Sequence, residues 1–148
     1  MRITSAEARS LIDKASGKAA ALGKAMTFAV VDAGGFLVAL ERMDGARPLT
    51  ASIATAKAYT AAVMQRPSVM LKDWSASDPV FFGQVARMGQ HPIVATKGGY
   101  TLKREGEFLG GFGVSGGSPD EDEDICSAVV AEAGFETTFQ AWAGAKRS

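Results

Sequence analysis

Apolar residues recur at helical spacing through Ala8, Leu11, Ile12, Ala15, Ala19 and Leu22, one narrow stripe in an otherwise polar stretch. Thr4 and Glu7 stand before it at the spacing of a capping box, which satisfies two free backbone donors at a helix start. Gly23 supplies a stop. A helix is therefore predicted over 5–22, weakened slightly by Gly17 on its other face. The period then shortens. Thr27-Phe28-Ala29-Val30-Val31 is a short run of strand formers, Asp32-Ala33-Gly34-Gly35 is a turn, and Phe36 to Met43 reads as the return strand of a hairpin.

After Pro48 comes a second helix over 50–64, crowded with Ala51, Ala54, Ala56, Ala58, Ala61 and Ala62 and stopped by Pro67. Side chains this small permit close approach to a sheet or to another subunit. Residues 68–89 read as short helical pieces broken at Pro79, anchored by Val69, Met70, Trp74, Phe81, Phe82, Val85 and Met88. Ile93-Val94-Ala95 is a short strand candidate, and Gly98-Gly99 a turn. Tyr100 to Lys103 and Glu107 to Val114 form a second hairpin around Arg104-Glu105-Gly106. Gly110, Gly111 and Gly113 make its last strand unusual, because glycine weakens a strand and marks close approach of another group. A loop over 115–119 leads into a helix over 120–133 closed by Gly134, and a tail carries Phe135, Phe139 and Trp142. The order of helix, hairpin, helices, hairpin and helix predicts an α/β (α+β) domain over 1–148. It has an antiparallel sheet of about five strands covered by helices.

Composition narrows the function classes. The 148 residues suit one domain, and 16 basic residues cancel 16 acidic ones. A neutral chain offers no general field for nucleic acid or an anionic membrane. One cysteine, Cys126, excludes an intrachain disulfide and fits a reducing compartment. The first residues lack the layout of a signal peptide, and the apolar runs fall short of the roughly 20 residues that span a bilayer. The expectation is a cytoplasmic protein. No Gly-x-x-x-x-Gly-Lys-[Ser/Thr] motif is present, and Gly111-Phe112-Gly113 is too short for a dinucleotide fingerprint, so no nucleotide cofactor is expected.

Several stretches together resemble the GlcG/HbpS, or haem-degrading-domain, family, which includes the C-terminal domain of PduO. They are Val31-Asp32-Ala33-Gly34-Gly35, Arg42-Met43-Asp44-Gly45-Ala46, Ser52 with Ala56-Lys57-Ala58-Tyr59-Thr60-Ala61, Gly98-Gly99, Glu105-Gly106-Glu107 and Gly110 to Gly116. The resemblance covers nearly the whole chain, and the order and spacing of the pieces make it specific. It implies a profilin-like fold and a homo-oligomer, often an octamer. It implies haem binding in some members, with iron-linked haem breakdown in the HbpS-like ones. Two stretches depart from the family pattern. Thr96-Lys97 and Tyr100-Thr101 flank the double glycine where an apolar, proline-containing stretch is usual, and the segment after Ser115-Gly116 is unusually acidic.

The chemistry-bearing candidates have competing readings. His91, the only histidine, suits an axial haem-iron ligand or a general base, or is a loop residue before Pro92. Lys57 matches a lysine of the family pattern. On a small-residue helix its amine suits pairing with a carboxylate, such as a haem propionate, or work as a base, and otherwise snorkels to solvent. Asp32 and Arg42 flank the first hairpin as a structural pair or Asx-turn, or as a carboxylate-binding arginine. Thr96-Lys97-Gly98-Gly99, with Tyr100, reads as an anion cradle or a plain turn. Asp120-Glu121-Asp122-Glu123-Asp124 favours the start of a helix through its dipole, with a divalent ion as the sharper alternative. Cys126 reads as a core or interface residue.

Three functions follow as expectations. The first is a haem or tetrapyrrole binder, with Lys57, Lys97 or Arg42 on the propionates. The second is a catabolic isomerase or lyase for a small oxo- or hydroxy-acid, with Lys57 or His91 as base and Arg42 on the carboxylate. The third is a non-catalytic oligomeric accessory protein of a catabolic locus.

Overall fold

The computed structural model describes residues 1–140. Its elements are α1 (Ser5–Ala21), β1 (Thr27–Asp32), β2 (Leu37–Arg42), α2 (Thr50–Val63), a 3-10 turn (Ser68–Leu71), α3 (Lys72–Ser77), α4 (Pro79–Val85), β3 (Gly99–Arg104), β4 (Glu107–Ser115) and α5 (Pro119–Glu132). Four strands, not five, form one antiparallel sheet in the order β2-β1-β4-β3. The missing strand is Ile93-Val94-Ala95. Its backbone is satisfied elsewhere: the Ile93 N–H donates to the Ala86 carbonyl, and the Val94 N–H donates to the Thr60 hydroxyl on α2. Ile93 is an apolar plug between Tyr59, Leu71 and Trp74. A three-residue apolar run does not separate these possibilities. Trp142 lies outside the described residues.

Two-residue alternation sends the strands' side chains to two different layers. Phe28, Val30, Leu102, Phe112 and Val114 meet the apolar stripes of α1 and α5. Ala29 and Val31 meet Ala54, Ala58 and Ala62 of α2. The thickness of this second layer explains the glycine-rich strand. A Cβ on Gly111 would lie 2.1 Å from the Ala58 carbonyl oxygen, and one on Gly113 would lie 2.1 Å from that of Ala54. The backbone of α2 therefore rests on the bare backbone of β4, which the alanine spacing on one side and the glycine spacing on the other permit together.

Both long helices flanking the chain's ends begin with a capping box, Thr4 with Glu7 in α1 and Ser118 with Glu121 in α5. The second box shows that α5 starts at Pro119, one residue before the expected start, because Ser118 rather than Pro119 supplies the cap. Helix α2 has Leu49 at its cap position and no side-chain cap. Among the described residues no helix is long and apolar enough to cross a membrane.

A helix glycine and a strand glycine predict opposite outcomes for the same substitution. Gly17→Ala, in exposed α1 with nothing near its Cβ position, should raise stability by about 0.5–1 kcal/mol. Gly111→Ala forces α2 off the sheet and should cost about 1–3 kcal/mol or more. Urea unfolding of both variants measures the difference.

Candidate functional site

Lys57 stands on the buried side of α2, two turns from the helix start, with its side chain only 6% exposed. Its Nζ donates to Asp122 Oδ2 at 2.9 Å and to the Val114 carbonyl at 2.9 Å. Asp122 Oδ1 in turn accepts the Gly117 N–H. Burial pushes the Asp122 carboxyl above its ordinary range, opposed by Lys57 and the Gly117 N–H. The lysine therefore points neither to solvent nor to a free guest charge. It already has its carboxylate, supplied by the acidic run at the head of α5.

The double glycine is where this arrangement needs it. Gly98 has φ +107, and a Cβ there would lie 2.8 Å from Lys57 Nζ and 2.8 Å from the Val114 carbonyl. A Cβ on Gly99 would lie 2.4 Å from the Lys57 carbonyl oxygen. Gly98 is a turn residue, as expected, whereas Gly99 already opens β3. Thus Lys57, Gly98 and Gly99 come together from distant parts of the sequence.

The acidic run works residue by residue. Asp120 pairs with Lys97, Glu121 with Lys24 and Asp122 with Lys57, while Glu123 accepts the Gly98 N–H. Together the four carboxylates tie three segments of the chain, at Lys24, at Lys57 and at Lys97-Gly98, to the start of α5. Hydrogen bonding and charge from Asp120 hold the Lys97 amine above its usual range, and Asp120 is lowered in return. Glu121 is lowered from 4.5 to about 2, chiefly by its bond from Lys24 and then by the Ser118 N–H. Among the described residues no cluster of His, Cys, Asp and Glu has the arrangement of a metal site.

Beside this buried pair is a cavity of about 710 Å³, lined among others by Arg47, Thr50, Lys57, Thr96, Ser115 and Asp122. A second, more apolar groove of about 550 Å³ lies along the other side of Ile53, between Leu37 and Leu40 of β2, Ser52 and Thr55 of α2, and His91 with Pro92. His91 is half-buried, with its ring edge-on to Tyr59 at 5.2 Å between centroids. The Tyr59 hydroxyl accepts the Gln90 N–H at 2.9 Å and steadies that loop. Among the described residues the imidazole nitrogens make no hydrogen bond.

The remaining candidates separate. Asp32 Oδ1 accepts the N–H groups of Gly34 and Phe36, an Asx-turn that shapes the first hairpin. Arg42 is exposed at the opposite end of that hairpin, paired across the strands with Thr27, so it does not meet Asp32. Tyr100 faces the other side of the sheet, where its hydroxyl donates to the Thr137 carbonyl and burial pushes the phenol up. Cys126 is fully buried with its thiol pushed far up, the state of an inert core residue. Arg47 and Ser115 escaped the sequence reading. Ser115 continues the two-residue rhythm of Gly111 and Gly113, a signal that places it on the face toward α2. Nothing local marks Arg47.

Two measurements test the charge network. Lys57→Met leaves a buried carboxylate without its cation and should cost about 3–5 kcal/mol in urea unfolding. The same variant combined with Asp122→Asn should lose less than the two single losses added, by about 0.5–3 kcal/mol. Glu121, with its carboxyl lowered in the folded state, contributes stability that is full above pH 4.5 and lost as pH falls toward about 2. Glu121→Gln should therefore flatten the fall of the thermal midpoint between those pH values while leaving the neutral side of the profile parallel to wild type.

Known proteins share this architecture. The family described as haem degrading protein HbpS-like matches residues 3–131. The corrinoid adenosyltransferase PduO of Citrobacter freundii is 32% identical over 137 residues, 93% of this chain and 41% of that protein. The chain thus spans well under half the length of that curated relative, and 30% of the Salmonella typhimurium one. Among solved structures, a PduOC–haem complex is 29% identical with a TM-score of 0.84, covering 94% of this chain and 100% of that one. A Streptomyces reticuli HbpS double mutant is 27% identical with a TM-score of 0.80, covering 90% and 88%. With the match running from residue 3, just before α1, to residue 131 in the last turn of α5, the chain belongs to the HbpS-like family.

Proposed function

We propose that the chain binds haem, in the apolar groove beside α2, with His91 as the iron ligand. The observation that carries this reading is His91 itself: an imidazole with no hydrogen-bond partner among the described residues, lining a groove whose walls are apolar. Leu37, Leu40 and Ile53 are 53%, 37% and 37% exposed. Apolar side chains left open in one row favour a flat apolar ligand. A histidine imidazole is the usual proximal donor for haem iron, and Tyr59 holds this ring edge-on. Bound haem would supply redox and ligand-binding chemistry at its iron; Leu37, Leu40 and Ile53 would hold the ring and His91 would donate to the iron.

The strand register also offers a partner for the propionates. Ala29 pairs with Leu40, and Thr27 with Arg42, so Leu40 and Arg42 belong to the same face of β2. Arg42 continues the apolar row with a cation. Lys57 and Lys97, the other cations considered for this role, are engaged by Asp122 and Asp120. The haem complex of a relative with the same fold supports haem binding, without bearing on which residues hold it. Self-association belongs to the same reading, because a second copy would cover the exposed leucines.

Titrating the protein with haemin tests the proposal. A saturable Soret band should grow at micromolar protein. His91→Ala should change its position and weaken binding about tenfold or more, and Arg42→Gln should weaken it severalfold without moving the band. No Soret change in wild type would overturn haem binding, and unchanged spectra in His91→Ala would overturn the ligand. Light scattering on the same sample should give a multiple of the chain mass; a monomer would remove the self-association.

A further inference from the structure

The other cavity, on the Lys57 side of Ile53, has a different chemistry and is not used by the haem reading. Its charges almost cancel. Lys57 is matched by Asp122 and Lys24 by Glu121, so Arg47 is left as the one lining cation with no ion pair among the described residues. Counting Glu121, which stands outside the lining but pairs with Lys24, one positive charge is left unmatched. The start of α2 reaches the cavity through Leu49, Thr50 and Ile53; its Thr50 and Ala51 N–H groups are engaged by the Arg47 and Pro48 carbonyls, so the helix contributes its dipole, which favours an anion, rather than free donors.

Independent evidence for an occupant comes from Ser115. It is 4% exposed, lines the cavity, and its hydroxyl has no hydrogen-bond partner among the described residues. The strand rhythm explains its aim. Gly113 packs on Ala54, so Ser115, two residues on, faces the preceding turn of α2. Its cross-strand neighbour Thr27 behaves accordingly, bonding the Thr50 hydroxyl at 2.7 Å. The Thr96 hydroxyl is likewise unengaged. An ammonium has three N–H donors, and Lys57 uses two on Asp122 and Val114, which leaves one. Ser115 Oγ is not sealed off from the cavity, so its hydrogen bond is left for whatever enters there.

We infer that this cavity is a binding site for a small monocarboxylate bearing a hydroxyl or oxo group. The carboxylate meets Arg47 beside the positive end of the α2 dipole. The second oxygen completes the free hydrogen bonds of Ser115, Thr96 and Lys57. One net positive charge selects a monoanion, and the mixed donors and acceptors select an oxygen-bearing one over a plain fatty acid. The site is separate from the haem groove and shares only Ile53 with it.

Calorimetric titration with lactate and with pyruvate tests this, with neutral lactamide and inorganic phosphate as comparisons. Lactate or pyruvate should bind wild type, and lactamide should not. Arg47→Ala should weaken binding by at least about tenfold, the scale of a lost charge-assisted hydrogen bond. Ser115→Ala should weaken it severalfold while leaving the urea midpoint unchanged, because its hydroxyl holds nothing in the fold. His91→Ala should bind lactate like wild type although it binds haem poorly, and Arg47→Ala should keep the Soret response, which separates this inference from the haem reading. Three results would each overturn it: no binding of lactate or pyruvate up to about 10 mM, equal binding by Arg47→Ala, or tighter binding of phosphate than of either carboxylate.

Discussion

Helix α2 lies against β4 with no side chain between the two backbones at Gly111 and Gly113, and the rest of the molecule is arranged around that contact. The approach brings Lys57 low enough to reach Asp122 across the end of the sheet. It brings the helix's first turn beside Ser115, and it leaves Ile53 and Ser52 on the far side as one wall of the apolar groove. A single bulkier residue on either surface would lift the helix and displace both cavities at once. The glycine run is therefore a packing device first, and any ligand role it has is indirect.

A second constraint is electrostatic. Taking Lys57 out of water would be prohibitive without a carboxylate within hydrogen-bond reach. Asp122 meets that need, and its neighbours Asp120 and Glu121 extend the same logic outward to Lys97 and Lys24. Consecutive residues at a helix start point in different directions, so three adjacent acids reach three separate cations. The helix dipole and the lysines both favour the run, and neither alone accounts for its length. The consequence for chemistry is that two lysines that look available in the sequence are already committed, while two arginines, Arg42 and Arg47, remain beside the two cavities.

The two cavities divide the functional potential of one helix. The side facing β2 offers exposed leucines and a free imidazole, which suits a flat apolar ring. The side facing the Lys57–Asp122 pair offers an uncapped helix start, unpartnered hydroxyls and one net positive charge, which suits a small oxygen-bearing anion. Ile53 separates them. Membership of the HbpS-like family fits the first character, and the second follows from side chains whose hydrogen bonds are incomplete.

Local chemistry made most of the architecture readable. Capping at Thr4, turn glycines, two hairpins and the alternation of apolar positions depend on neighbours a few residues apart, and these neighbours are visible in the chain itself. The alanine helix and the glycine strand each announced a close contact, but only the packing made them each other's partner. What three-dimensional packing alone decided was pairing over long separations: Lys57 with Asp122, Ile93 as a plug rather than a strand, Tyr100 on the far side of the sheet, Arg47 beside Ser115. A charge pattern tells which groups need partners, but a partner 65 residues away is chosen by where the backbone carries it, and burial, which turns a surface lysine into a buried ion pair, exists only once the layers have met.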